Sequence, residues 1–168
     1  MKHLLLLIGI FCLISTTSFS QNKKAEKEAA AKVQFEKASA AIDAKDFVII
    51  VDTYEAANKT LQTNTDVTNF ISYEKGFVFL QGILFTPANT LYKMDVSEYK
   101  QELDKKGNIR IMMQLSGSIM KAKAEIFLRK GGNYADIILT PTKGETKRFS
   151  GDVVPRTESR YFKRPGEV

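Results

Sequence analysis

The stretch from Ile109 to Leu128 limits what this chain can fold into more than any other. Ile109, Ile111, Met113 and Leu115 occupy alternate positions, with Arg110, Gln114 and Ser116 between them. After Gly117-Ser118 the alternation resumes, with Met120, Ala122, Ala124, Ile126 and Leu128 on one face. Lys121, Lys123, Glu125 and Arg129 take the other face. A period of two belongs to a strand with one packed and one wet side, because a helix repeats its faces every 3.6 residues or so. Gly131-Gly132-Asn133 then turns the chain into Tyr134 to Thr140, where Ala135, Ile137 and Leu139 alternate. Thr142-Lys143-Gly144-Glu145 turns it again into Thr146 to Val154. Strands about 8–12 residues apart with a turn signal each time predict an antiparallel meander.

The upstream half fits the same plan. Phe47 to Val51 is a β-branched run that continues to Tyr54, followed by a polar loop from Asn58 to Asp66. Val67 to Tyr73 and Phe77 to Gln81 flank Glu74-Lys75-Gly76 as a hairpin. Ile83-Leu84-Phe85 extends the second of these strands through a bulge at Gly82, and Thr86-Pro87-Ala88-Asn89 breaks it. A weaker strand, Val96 to Leu103, meets the turn Asp104 to Asn108. Ahead of all this, Asn22 to Lys45 is rich in Ala, Lys and Glu without Gly or Pro. Ala31, Phe35, Ala38 and Ile42 fall on one face of the helix it predicts. The expected class is mainly β (α+β): an antiparallel meander of about seven or eight strands, as a curved sheet or open barrel, with one N-terminal helix.

The first twenty residues remove chemistry. Met1-Lys2-His3 is a positive start, Leu4 to Ile14 is apolar throughout, and Ser15 to Ser20 is small and polar apart from Phe19. That is the layout of a secretory signal peptide cut before Gln21. The apolar run is too short to span a bilayer, and nothing later is as long and apolar, so no transmembrane segment is expected. Of 168 residues, losing 20 leaves 148, enough for one domain to bury roughly two thirds of its unfolded surface. The single histidine (His3) and single cysteine (Cys12) lie in the leader, and there is no tryptophan. The mature chain therefore has neither imidazole nor thiol, which excludes disulfides and most familiar catalytic and metal-binding chemistry. The expected organisation is a leader over 1–20, a helical segment over 21–45, a β domain over 46–155 and a basic, loosely held tail over 156–168. Losing Lys2 takes the net charge from +6 to +5, which favours acidic partners in the envelope, while no motif points to nucleic acid.

Two stretches resemble a known family. Val67-Thr68-Asn69-Phe70-Ile71-Ser72, leading through a glycine turn to Val78-Phe79-Leu80-Gln81, is similar to the central signature of an exported Bacteroidetes family, domain of unknown function 4251. Arg148-Phe149-Ser150-Gly151-Asp152-Val153-Val154-Pro155 and Glu158-Ser159-Arg160-Tyr161-Phe162-Lys163 resemble its C-terminal part. The similarity runs from about Phe47 to Lys163, and the leader ending Ser-Phe-Ser before Gln21 is typical of the group. The turn Glu74-Lys75-Gly76 departs from a more Gly/Asp-rich family pattern. The resemblance implies fold and export to the periplasm or cell surface. It brings no catalytic residues.

The residues themselves offer little catalysis. Ser118-Ile119-Met120-Lys121 matches S-x-x-K, but that pattern works from the first turn of a helix and here it opens a strand. Acid pairs such as Asp52 with Glu55, or Glu125 with Asp136, would suit glycoside hydrolysis only at a set separation. The Asn58 to Asp66 loop lacks EF-hand spacing, Gly131-Gly132 lacks the lysine of a phosphate loop, and Asn58-Lys59-Thr60 is a formal sequon. No cofactor or metal is expected. Two features point to binding instead. One is a basic row, Lys121, Lys123 and Arg129, with Lys147 and Arg148 nearby; the bland reading is a solvated face. The other is the aromatic hairpin of Phe70, Tyr73, Phe77 and Phe79, for which core packing is the ordinary account; in a sheet curled into a barrel the same residues would line an apolar cavity. The expected function is a non-enzymatic exported binding or interaction module. A lipocalin-like carrier of a small apolar or acidic ligand is the alternative, and a carboxylate-dependent glycan hydrolase comes third.

Overall fold

The period-two stripes set the register of the sheet. The structure is a computed structural model that describes residues 2–86 and 89–165, with side chains from Lys23 onward. Its strands are β1 (Phe47–Glu55), β2 (Leu61–Thr63), β3 (Phe70–Glu74), β4 (Phe77–Gln81), β5 (Tyr92–Leu103), β6 (Ile109–Ser116), β7 (Lys121–Leu128), β8 (Tyr134–Pro141) and β9 (Lys147–Pro155). Every adjacent pair is antiparallel, and β1 pairs with β9 from Phe47↔Pro155 to Tyr54↔Phe149. That last pairing closes the meander into an eight-stranded barrel, with β2 as a short extra strand beside the end of β1. Closure removes the sheet edges that an open meander would leave for other chains to pair with.

The expected alternation lands in layers. Ile109, Leu128, Ala135 and Gly151 face inward side by side, then Ile111, Ile126, Ile137 and Phe149, then Met113, Ala124, Leu139 and Lys147. The apolar side chains among them belong to one buried cluster, so the interior is filled with side chains. Ala38, Ala41 and Ile42 enter that same core from the helix α1 (Lys2–Asp43) and close one mouth. The stripe read from the sequence is the packed one: Phe35 is half-buried, and Ala38 and Ile42 are fully buried.

The helix stops sharply although no glycine marks its end. Asp46 N–H donates to Ala41 O at 3.0 Å and Lys45 N–H to Ile42 O at 3.0 Å, which is the Schellman pattern. Lys45 takes the left-handed position at φ 54°, and its ammonium sits 4.3 Å from the centre of the Tyr99 ring. Burial, with Tyr73 and Asp43 nearby, pushes the Tyr99 hydroxyl up to about 12.

Three local readings change. The Asn58–Asp66 loop contains β2, because Asn58 and Thr60 close a tight turn that folds Leu61–Thr63 back along β1. Val67 and Thr68 lie in a turn before β3 rather than in the strand, held by Asp66 accepting the Thr68 N–H at 2.8 Å. Ile83 to Phe85 do not extend β4. The chain turns at Gly82, and Phe85 packs on Phe149 at 4.7 Å to stop the second mouth. The break expected at Thr86 to Asn89 includes Pro87 and Ala88, which lie outside the described residues.

The C-terminal segment is the largest correction. Expected as a loose polar tail, residues 156–165 run across the outer face of β3 and β4. The Gln81 side chain grips their backbone twice, donating to Phe162 O and accepting from Arg164 N–H, each at 2.7 Å. Lys163 reaches Glu74 at 2.7 Å and lies over the Phe79 ring. Tyr161 sets its edge against Phe70, with centroids 4.7 Å apart.

Closure makes a specific demand on Gly151. A Cβ there would stand 2.0 Å from Ile50 O, on the neighbouring strand β1. Gly151→Ala is expected to cost about 1–3 kcal/mol or more by overpacking. Gly132→Ala, with nothing within 4 Å of its Cβ, should stay within about 0.5 kcal/mol of the parent. Urea unfolding of both variants checks this, and equal stability would mean that β1 and β9 do not approach so closely.

Candidate functional site

The outward rows of the same ladders build a cleft. One row crosses the sheet as Arg110, Phe127, Asp136, Ser150 and Thr53; the next runs Met112, Glu125, Ile138 and Arg148. These positions face away from the core, where polar residues are expected, yet Phe127 and Ile138 are apolar. Over them lies an open cleft of about 500 Å³, walled on one side by Tyr54, Glu55 and Leu61. Leu61 is 78% exposed at its mouth. The volume suits a small molecule or a few side chains of a partner.

Charges ring this apolar floor. Glu125 accepts from Arg110 at 2.6 Å and Lys123 at 2.9 Å. Those hydrogen bonds, Arg110 first, hold its carboxyl below the usual range despite partial burial. Asp136 pairs with Arg129 and accepts from the Ser150 hydroxyl at 3.0 Å. Glu55 binds Lys59 at 3.1 Å and is only 3.9 Å from Arg148, whose nearest described acid it is.

The structure divides the basic row. Arg148 lines the cleft, and Lys123 and Arg129 reach its acids Glu125 and Asp136 from beside it. Lys121 lies further along β7, beside the β8–β9 turn. Lys147 belongs to the inward set: its ammonium donates to Leu84 O at 2.7 Å at the second mouth, and burial lowers its pKa. The aromatic set divides too. Tyr73 faces the core beside Phe47 and Tyr99. Phe70, Phe77 and Phe79 face outward with Val48 and Leu91, in a satellite cluster that Tyr161 helps to cover. These three therefore line no barrel cavity. Sequence reasoning passed over Phe127, Ile138 and Leu61. The signal for the first two was available: each is the apolar exception on a polar strand face.

No family model and no curated protein matches the chain. A solved structure does. The crystal structure of a DUF4251 family protein from Bacteroides eggerthii DSM 20697 is similar with a TM-score of 0.68 and 26% identity, over 79% of this chain and 94% of that one. That likeness supports a DUF4251 assignment. The assignment bears out the resemblance read from the two motif stretches, and the family name specifies no activity.

In this chain the motif residues have structural work. Gly151 lets β9 approach β1, Gln81 grips the tail, and Phe70, Tyr161 and Lys163 form the surface that the tail covers. Ser118 lies in the β6–β7 turn, not in a helix, so the S-x-x-K geometry is missing. Glu125 and Asp136 do line one cleft. A general acid needs a raised pKa, however, and the pairing at Glu125 pushes the other way. Among the described residues no three His, Cys, Asp or Glu side chains are grouped to hold a metal, and no helix is long and apolar enough to cross a membrane.

Two outcomes test this geometry. Gln81→Ala removes both grips on the tail, so trypsin should cut at Arg160 and Lys163 several-fold faster while the barrel still unfolds cooperatively; unchanged cleavage would mean that the tail is held by other contacts. For Glu125, a depressed pKa means stability present above its ordinary value of 4.5 and lost as pH falls through the lower folded value. Glu125→Gln should therefore destabilise by about 0.5–1 kcal/mol near neutrality. That difference should vanish on acidification, as urea midpoints across the acid range will show.

Proposed function

We propose that this DUF4251 chain is an exported, non-enzymatic binding module of the envelope that engages its ligand or partner in the outer cleft over β7, β8 and β9. One observation carries the reading: Phe127 and Ile138 stand on the otherwise polar outer faces of β7 and β8, inside a ring of charges and beneath the exposed Leu61. Apolar side chains left in an outer cleft favour association, because covering them releases water. The leader supports export, and the absence of histidine and cysteine beyond it supports binding over catalysis.

The closed eight-stranded barrel also suits a lipocalin-like carrier. The interior is packed with Ile111, Met113, Ile126, Ile137 and the end of the helix, so a carried molecule would sit outside, in the same cleft. A glycan hydrolase is less supported, since each of the cleft acids has a cationic neighbour.

The test is native mass spectrometry of Gln21 to Val168 purified from the envelope of its own host, beside a Phe127→Arg, Ile138→Arg double variant. A discrete adduct or bound protein on the parent chain, absent from the variant, is expected. A bare parent mass together with no captured partner would sink the proposal. An adduct retained by the variant would move the site away from the cleft.

A further inference from the structure

We propose that the cleft binds a single-chain amphipathic anion, its carboxylate or phosphate head held by Arg148 and its apolar body lying along Phe127 and Ile138 beneath Leu61. This rests on the cleft being the binding site. Charge selects the ligand. The three acids that line the cleft serve five cations, of which Arg110 and Arg148 also line it: Glu125 lies between Arg110 and Lys123, Glu55 between Lys59 and Arg148, and Asp136 beside Arg129. The next acid along β5, Glu102, is taken by Lys100 at 2.5 Å. The rim is therefore short of negative charge, and the shortfall is greatest at Arg148.

Arg148 is half-exposed, and its nearest described acid, at 3.9 Å, already serves Lys59 at 3.1 Å. A guanidinium offers five donors in a planar fork that matches a carboxylate or phosphate in bidentate fashion. Arg148 is directly opposite Ile138 in the β8–β9 register, and Ile138 is opposite Glu125. An anionic head on Arg148 thus places an attached chain over Ile138 and towards Phe127. At the other end Arg110 is already held by Glu125 at 2.6 Å, which leaves Arg148 as the cation of the lining with the weaker acid contact. A neutral apolar ligand would leave Arg148 unused. A polyanion would meet Glu55, Glu125 and Asp136.

The probe is dodecanoate, held below its micelle concentration, titrated into Gln21–Val168 and followed by shifts of the backbone amides. Dodecanol is the neutral control, and vesicles containing phosphatidylglycerol are the membrane control. Saturable binding of dodecanoate is expected, with shifts at Phe127, Ile138 and Arg148, roughly tenfold tighter than dodecanol, the gain of one charge-assisted contact. Arg148→Gln should lose that tenfold difference and leave dodecanol unaffected. Glu55→Gln should strengthen dodecanoate severalfold, since it removes the competing acid; a purely structural role for the pair predicts no such gain. Equal binding of alcohol and acid would overturn the anionic class while leaving the cleft as a binding site. Shifts confined to other surfaces, or binding to vesicles alone, would overturn the proposal. The native-envelope experiment would then judge the module reading separately.

Discussion

The antiparallel pairing of the first long strand with the last is the constraint on which the rest depends. β1 spends one edge on β3 and β2 and the other on β9, so no long strand at the seam is left half-paired. Once the seam is closed, alternation acquires a fixed meaning: one set of side chains is inside and the other outside, all round. The seam is not regular. Asp52 is inserted between Val51 and Thr53 where β1 crosses β9, and such a bulge increases local twist. Gly151 sits opposite Val51 at that point, and its missing side chain lets the two strands come together.

Closure leaves two open mouths, and the chain fills both from its own sequence. The end of the helix inserts Ala38, Ala41 and Ile42 at one, and the β4–β5 connection folds Phe85 onto Phe149 at the other. The helix can seat only because it stops in register, with Lys45 accepting a left-handed conformation that costs roughly 1 kcal/mol. Packing against Tyr99 and the core offsets that cost. The tail adds a third layer outside. It covers Phe70 and Phe79 and brings Arg156 and Lys163 to the nearly buried Glu74. A carboxylate so shielded would be costly without cationic partners. The tail is thus a component of the fold, and the aromatic face under it is occupied.

Much of this was legible in the chain. Strands β6 to β9 follow directly from Ile109 to Val154, because their inward stripe is continuous and each turn carries its glycine or asparagine. The packed face of the helix was equally plain from Ala31, Phe35, Ala38 and Ile42. What stayed hidden depends on residues far apart in sequence. Whether Phe70 and Phe79 line a cavity or a covered outer face is decided by Tyr161 and Lys163, some eighty to ninety positions away. A run of cations looks like a basic surface until the ladder places Glu125 beside Lys123 and Asp136 beside Arg129. Lys147 looked like a member of that row, but parity along β9 turns it inward. Of the candidate cleft, the rim residues Lys123, Arg129 and Arg148 were visible as charge. The floor was visible only as an exception to polarity, and its wall on β2 was hidden in a stretch that reads as loop.

The outer face is also electrically divided, and the division falls along the seam. On the far side of Ser150 and Thr53 from the cleft lie Asp52 and Asp152, with the Tyr134 hydroxyl donating to Asp52 at 3.1 Å. Burial first, and the neighbouring Asp52 second, raise the pKa of Asp152. These acids continue into a second hollow with Asp66, Glu158 and Arg160, while the cleft over Phe127 and Ile138 sets Arg110 and Arg148 among Glu55, Glu125 and Asp136. Intermingled charges, as in the cleft, largely cancel within a few ångströms. An excess of one sign, as in the acidic hollow, leaves a field along the surface, strongest where solvent is partly excluded. The bulge at Asp52 puts two successive residues of β1 on the outside at the border between the two hollows. The irregularity that helps the barrel to close therefore also separates the acidic hollow from the cleft. The acids of that hollow repel a negative group from that side of the seam, before any apolar contact is made.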